Sequence, residues 1–226
     1  MILGFRALIL HREAFEKYEL VYIPPTDSRK GFRVKPSRCI WEGPAILPSV
    51  YVLSSLYPDS RRLFTSLLSL ENANLQHLIM ETKQFTSGDS IQYIAEVLKE
   101  LEKFLTDKTS PSETSDLSKH DIFPIRTSTD QSRFDCLRGA NQSHMWWIAD
   151  ARHLLRSFEG CIPLLALSVE DVGGFKRLFK FAKVDLRKLS HAVEGNARTV
   201  GYMRTWEART TLLQARANSI LRYAQV

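Results

Sequence analysis

The side chains that could do acid–base, nucleophilic or metal chemistry in this sequence are scattered singly along the chain. They comprise six histidines and three cysteines: His11, His77, His120, His144, His153, His191, Cys39, Cys136 and Cys161. No histidine pair has the HxH or HExxH spacing of a metal site, and no cysteine pair forms CxxC. An odd number of distant cysteines also disfavours a disulfide framework. The spacing therefore predicts free thiols in a reducing compartment, with no bound metal or cofactor.

Motifs that place a nucleophile or a phosphate are also missing from the sequence. It contains neither the GxSxG turn of a serine hydrolase nor the glycine-rich loops GxGxxG and GxxxxGK[ST]. We therefore expect a chain that is not an enzyme. One alternative stays open, an accessory enzyme of a biosynthetic pathway whose site is assembled from distant residues. A deep pocket with converging His, Asp or Cys side chains would favour it.

Residues 146–150, WWIAD, combine two tryptophans with an aspartate ahead of the segment ARHLLRSF. Adjacent residues on a helix or strand point in different directions, so Trp146 and Trp147 cannot both face one ligand. We expect one of them in the core and the other at a contact between elements, within a buried turn. Asp150 is expected to cap the helix that follows it, because a carboxylate accepts hydrogen bonds from free amides at a helix start. The residues expected to matter most for folding are Trp41, Trp146, Trp147, Phe158, Leu164 and Trp206.

The one large anomaly is the charge of the C-terminal third. From Gly173 onward the sequence has eleven positive and three negative residues, a net charge of +8 against +6 for the whole chain. Such a surface attracts nucleic acid, acidic lipid or an acidic protein. The candidate surface for an acidic partner comprises Lys176, Arg177, Lys180, Arg198, Arg204, Arg209 and Arg216. The alternative is a solvated helix face whose acidic complement lies elsewhere in the fold or in a further domain.

Size and composition favour an ordinary globular protein. The chain has 226 residues, 44% of them hydrophobic and 25% charged, which is enough to bury a core without disulfides or metals. The apolar N-terminal stretch is short and is broken by Arg6, His11 and Arg12, so no signal peptide is expected. No apolar run reaches the ~20 residues that cross a bilayer. The expected location is intracellular, cytoplasmic or nuclear, without secretion.

The clearest predicted element is a helix over residues 91–105, capped by Asp89 or Ser90. Its apolar stripe comprises Ile91, Ile94, Ala95, Leu98, Leu101 and Leu105. Pro48 can also open a helix over residues 49–57. Near the C-terminus, apolar residues at alternating three- and four-residue steps predict a long helix over about residues 196–223. We therefore expect a mainly α fold: an irregular multi-helix domain with at most a small β element and that long C-terminal helix.

A polar segment divides the predicted fold. Residues 106–121 are rich in Ser, Thr and Asp, and Leu117 is their only large apolar residue. We expect an N-terminal helical subregion over residues 1–105, a linker over residues 106–121 and a C-terminal helical subregion over residues 122–226.

Several longer segments of the sequence resemble one family. They are KPSRCIWEGPAIL and LLSLENANLQHLI in the first half, and WWIADARHLLRSFEGCIPLLALSVEDV, DLRKLSHAVEG and ILRYA in the second. Over residues 33–226 they resemble the region downstream of the ATPase module in large sacsin-related proteins of fungi and plants, which carry a GHKL-type ATP-binding domain. The glycine-rich lid and the acidic metal-binding motif of that module are not seen in this sequence, so no catalytic residue carries over.

The resemblance implies a helical, chaperone-associated segment that works through protein contacts, in a chain that is a truncated or split relative of the larger proteins. We therefore expect a non-catalytic protein-interaction or scaffold module with an unidentified protein partner. The alternative, from the residues alone, is binding to nucleic acid or another acidic surface through the basic C-terminal third.

Overall fold

The structure is a computed structural model that describes residues 13–26, 29–126, 134–139, 146–158 and 161–192. Of these residues, 44% are helical and 17% lie in strands, which form four small sheets. The fold is therefore mixed α and β, and the prediction of a mainly α domain with at most a small β element is wrong. The predicted long helix over residues 196–223 lies outside the described residues. None of the described helices is long and apolar enough to cross a membrane.

The first of two compact units covers Met1–Glu81 and contains two small sheets. Its elements begin with a helix over residues 13–18 (α1), followed by β1 (Val21–Ile23), β2 (Phe32–Val34), a 3₁₀ helix (Pro36–Arg38), β3 (Cys39–Ile40), β4 (Tyr51–Val52), a 3₁₀ helix (Pro58–Ser60), a π-helical turn (Leu63–Leu67) and α2 (Leu75–Thr82). β1 pairs antiparallel with β2, and β3 pairs parallel with β4.

The core of the first unit is built around Trp41. Its ring stacks on that of Phe64, with ring centroids 6.1 Å apart, and the residue is 3% exposed. The other buried members of this cluster are Val21, Ile23, Val34, Cys39, Leu53, Leu68 and Leu70. The predicted place of Trp41 in the core is therefore confirmed.

Residues 49–57 show why the mainly α prediction failed. Pro48 suits a helix start, but these residues contain β4 instead. The backbone N–H groups of Leu53 and Ser54 donate to the carbonyl oxygens of Ile40 and Trp41, each at 3.0 Å. Pairing with a distant segment thus satisfies backbone groups for which a helix would have supplied local partners. Strands of two to four residues are also too short for an alternating pattern to show in the sequence.

The burial of Cys39 gives a prediction about thiol reactivity. Burial, and next the charge of Glu16, raise the pKa of the Cys39 thiol to about 12, whereas Cys136 and Cys161 are partly exposed. Because the thiolate is the reactive form, we expect iodoacetamide at about pH 8 to modify Cys136 and Cys161 well before Cys39. Mass spectrometry of peptides over a time course gives the order. Rapid modification of Cys39 in the native protein would contradict its burial.

The second compact unit covers Thr82–Val226 and contains two further sheets. Its described elements are α3 (Ile91–Phe104), α4 (Pro111–Thr114), a 3₁₀ helix (Ser115–Ser118), β5 (Phe123–Arg126), β6 (Cys136–Arg138), β7 (Trp146–Ile148), α5 (Arg152–Phe158), β8 (Leu164–Leu165), α6 (Val169–Gly173), α7 (Lys176–Ala182), β9 (Leu186–Lys188) and α8 (Leu189–Ala192). β5 is the central strand of an antiparallel sheet with β6 and β8, and β7 pairs parallel with β9.

Helix α3 confirms the clearest prediction from the sequence. The Ser90 hydroxyl accepts a hydrogen bond from the Tyr93 N–H at 3.1 Å, which caps the helix start. The predicted apolar stripe is buried along the helix at Ile94, Ala95, Leu98, Leu101 and Leu105. One face of α3 therefore lies in the core of the second unit.

Residues 106–121, which the sequence predicts to be a linker, belong to the second unit, and the division between the units falls between Glu81 and Thr82. Ser110 and Glu113 form a capping box at the start of α4, with Pro111 at its first position. Leu117 is 1% exposed. The sequence SPSE at residues 110–113 is the signature of that capping box. The polar composition of the whole segment led to the prediction of a linker instead.

Trp146 and Trp147 are both buried, as predicted, and they enter two different clusters. Trp146 meets Phe123 edge to face, with ring centroids 5.6 Å apart, and Phe123 stacks on Phe179 at 5.7 Å. Trp147 packs in a cluster whose other buried members are Leu154, Leu155, Phe158, Leu164 and Leu189. The core roles predicted for Phe158 and Leu164 are confirmed, while Trp206 lies outside the described residues. β7 thus places one tryptophan in each cluster.

Truncating Trp147 tests the second of these clusters. We expect Trp147→Ala to lower the free energy of unfolding by about 3–5 kcal/mol, because a large buried ring leaves a cavity. His153→Ala, on the exposed side of α5, is the control and should change it by less than about 0.5 kcal/mol. Urea denaturation followed by circular dichroism measures both. An unchanged midpoint for Trp147→Ala would contradict its place in the core.

Candidate functional site

The predicted basic surface is present in the described residues as one face of α7. The predicted residues Lys176, Arg177 and Lys180 are exposed on α7, and Lys183, which was not part of the prediction, is exposed directly after its last residue; these four residues are here called the α7 basic face. At about 100° per residue, the first three fall within about 100° of one another around the helix axis. Leu178 and Ala182 on the opposite side are buried. The other predicted residues of this surface, Arg198, Arg204, Arg209 and Arg216, lie outside the described residues.

The N-terminus of α7 is held by a side chain of α3. The Glu102 carboxylate accepts hydrogen bonds from the backbone N–H groups of Arg177 at 3.0 Å and Leu178 at 2.7 Å. Amides in the first turn of a helix have no partner within the helix, and a negative charge suits the positive end of its dipole. Glu102 therefore caps α7 in place of the residue at the N-cap position, Phe175, whose side chain makes no capping bond.

A second side chain of α3 binds α6. Lys99 Nζ lies 2.6 Å from Asp171 Oδ1. Burial alone would raise the pKa of Asp171, but hydrogen bonds from Lys99 and Ser168 outweigh it and lower that pKa below its ordinary value. Asp171 is therefore ionised at neutral pH and keeps its partner on α3.

Asp150 holds the start of a distant helix. Its carboxylate accepts hydrogen bonds from the Ser190 N–H at 3.1 Å and from the Ser190 hydroxyl. Burial raises the pKa of Asp150, but these bonds and the charge of Lys188 lower it overall. The sequence predicted a cap for α5, whereas the described bonds of this carboxylate go to α8. The pairing of Ile148 with Lys188 explains the difference, since it brings α8 to the end of β7.

A cleft of about 660 Å³ lies in the second unit where α3, α5 and α6 begin. Residues 90–92, 151–152 and 168–171 line it, together with Arg126, the last residue of β5. Arg126 is 7% exposed, so a guanidinium group is buried at the cleft wall. The cleft has the size of a small-molecule site. Sequence reasoning missed it because its residues come from separate segments that share no motif.

A second cavity of about 500 Å³ brings together the residue types that the enzyme alternative requires. Its lining includes Lys83, His120, Asp121, Asp135 and Cys136. No hydrogen bond joins the Cys136 thiol to the His120 ring in the part of the chain that the structure describes. Nor do any three or more His, Cys, Asp or Glu residues form a group there that could hold a metal ion. The enzyme alternative therefore gains a cavity, but among the described residues Cys136 and His120 do not form a nucleophile–base pair in it.

The second unit is thus a mixed α and β domain that carries a basic helix face and a charged cleft. The family described as "Domain of unknown function (DUF8348)" matches residues 76–193, more than half of the chain, and the chain belongs to this family. Both candidate surfaces lie within the matched residues. No curated protein and no solved structure matches the chain. The resemblance to sacsin-related proteins stays a prediction, since no matched relative connects the chain with them.

The cap on α7 can be tested by removing one charge. We expect Glu102→Gln to lower the free energy of unfolding by about 1–2 kcal/mol, because two amides lose a charged acceptor at the positive end of a helix. Glu100→Gln, which breaks only the pair with Lys103 on the same helix, is the matched control and should cost less than about 0.5 kcal/mol. Chemical denaturation measures both, and equal effects would contradict the capping role.

Proposed function

We propose that this protein is a non-catalytic interaction module that binds an acidic protein surface through the α7 basic face. The observation that supports the proposal is the arrangement of charge on α7. All four of its cations are exposed, and within the described ranges none of them forms a salt bridge. Cations clustered on one face attract acidic partners and speed their association.

The position of these cations within the helix also supports a role in binding. Lys176 and Arg177 lie in the first turn of α7, at the positive end of its dipole, where acidic residues would stabilise the helix better. Each misplaced charge costs on the order of 0.3–1 kcal/mol. Residues that destabilise the local structure are found most often at functional sites. The Glu102 cap supplies the negative charge that this helix start lacks.

Nucleic acid is the competing ligand, because phosphates attract the same cations. Proteins that bind single strands also present exposed aromatic rings on which the bases stack. Of the three phenylalanines at this helix, Phe175 at the N-cap is 1% exposed, Phe179 stacks on Phe123, and Phe181 is half-buried. Within the described residues, α7 therefore presents four exposed cations but no fully exposed aromatic ring, which favours a protein partner. A scaffold role next to a larger chaperone ATPase remains compatible with such contacts and stays a prediction.

Charge neutralisation tests the proposed surface. The variant Lys176→Gln/Lys180→Gln removes two charges from the α7 basic face, and Lys108→Gln/Lys119→Gln removes two exposed charges elsewhere in the second unit. Fluorescence anisotropy with a labelled polyglutamate peptide measures binding at about 20 mM and about 150 mM salt. We expect the first variant to bind about five- to tenfold more weakly, and the second to bind almost as well as the natural chain.

The outcomes separate the possibilities. Equal weakening by both variants would show that only net charge matters, and would contradict a defined surface. Tight binding to duplex DNA with no binding to the peptide would assign the surface to nucleic acid instead. A salt dependence that disappears in the first variant alone would support the proposal.

A further inference from the structure

The cleft at the starts of α3, α5 and α6 indicates a second binding site, independent of the α7 basic face. We propose that it binds a monocarboxylate with an apolar body. In this arrangement the carboxylate lies against Arg126 and the first turn of α3, and the apolar body lies against the aliphatic wall of the cleft. Free organic acids and the C-terminus of a peptide both have this chemistry.

Arg126 is the group that would recognise the carboxylate. It lines the cleft at the end of β5 and is 7% exposed. A guanidinium carries five N–H donors in a planar fork that matches the two oxygens of a carboxylate. Arg126 has interactions of its own within the protein, and a fork of five donors serves more than one acceptor. An anion that enters the cleft therefore meets a cation already removed from bulk water, where electrostatic attraction is strong.

The first turn of α3 adds a partial positive charge to the same cleft. Ser90, Ile91 and Gln92 all line it, and α3 is a helix of 14 residues. The Ser90 hydroxyl bonds the Tyr93 amide, so the amides of Ile91 and Gln92 are the first-turn donors nearest the cleft that the cap does not use. Helix starts of this kind favour anions. The buried arginine and the helix start thus favour the same sign of ligand charge.

The charges that line the cleft favour a ligand with one negative charge over a ligand with two. The lining has three positive residues, Lys99, Arg126 and Arg152, and four negative ones, Glu96, Asp150, Glu170 and Asp171. Lys99 is paired with Asp171, and Asp150 accepts two hydrogen bonds from Ser190. Glu96 and Glu170 repel any anion, but they repel a phosphate dianion about twice as strongly as a singly charged carboxylate. The charge balance therefore favours a carboxylate over a phosphate.

The apolar part of the wall is aliphatic, and four of its residues are alanines. Its apolar members include Ile91, Ala95, Leu155, Ala166, Leu167 and Val169. Alanines leave the space that gives the cleft its volume of about 660 Å³. Sites of this kind bind an apolar body and use a few polar groups to orient it. The ligand class that fits is a carboxylate joined to an aromatic or branched aliphatic group.

Fluorine NMR detects such a ligand directly. The probes are para-fluorobenzoate for free acids and N-(para-fluorobenzoyl)leucine for peptide C-termini, with para-fluorobenzamide and para-fluorophenyl phosphate as neutral and dianionic comparisons. We expect line broadening with at least one carboxylate probe and little with the other two. Amide shifts in a ¹⁵N-labelled protein should concentrate at Ile91, Gln92 and Val169. If only the signal of the leucine derivative broadens, the natural ligand is a peptide C-terminus. If the signals of both carboxylate probes broaden, the cleft also binds free organic acids.

Variants connect binding to the proposed residues. Arg126→Gln should weaken carboxylate binding at least tenfold, whereas Arg156→Gln, on the exposed side of α5 and outside the cleft, should leave it unchanged. Because Arg126 is buried, Arg152→Gln at the exposed side of the cleft gives a second test if the first variant fails to fold. We expect about threefold weaker binding there. The proposal is overturned by equal binding of the amide or the phosphate, by no carboxylate binding up to about 10 mM, or by binding that neither variant weakens.

Discussion

The hydrogen bonds from the amides of Arg177 and Leu178 to the Glu102 carboxylate join two helices that lie about 75 residues apart in the sequence. α3 can present this carboxylate because its apolar face is buried, which fixes the rotation of the helix about its axis. The same rotation places Lys99 2.6 Å from Asp171 on α6. Helices as short as α6 and α7 are not stable alone in water. Their positions, and so the direction of the α7 basic face, depend on α3.

Both candidate binding surfaces therefore use α3, at opposite ends. Its first turn forms part of the cleft wall, and its last turns carry the cap of α7. Asp150 holds another short helix in the same way, because its carboxylate accepts a hydrogen bond from the Ser190 N–H at the start of α8. Charged side chains on well-packed elements thus position short helices that have little stability of their own. Glu102 and Asp150 are thus acidic residues of the second unit that position helices.

The sequence predicted what depends on local pattern and missed what depends on distant pairing. The cap and apolar stripe of α3 lie in one continuous segment, and its 14 residues give the helical period room to show. The alternation of neighbouring side chains also explains why Trp146 and Trp147 enter different clusters. The strands were missed because they have two to four residues, and because several of them pair with segments far along the chain. The pairing of β7 with β9 brings Asp150 to α8, so this carboxylate bonds α8 and not α5. The cleft was missed because its lining segments meet only in the folded chain.

The dependence of α7 on α3 is the central claim, and hydrogen exchange of the native protein tests it most directly. The amides of Arg177 and Leu178 would be compared by NMR with those of Leu98 and Leu101 in the buried part of α3. If Glu102 holds the start of α7, all four amides exchange only through cooperative opening of the second unit, with similar free energies. Exchange of Arg177 and Leu178 at the rate of unprotected amides, while α3 stays protected, would contradict the account.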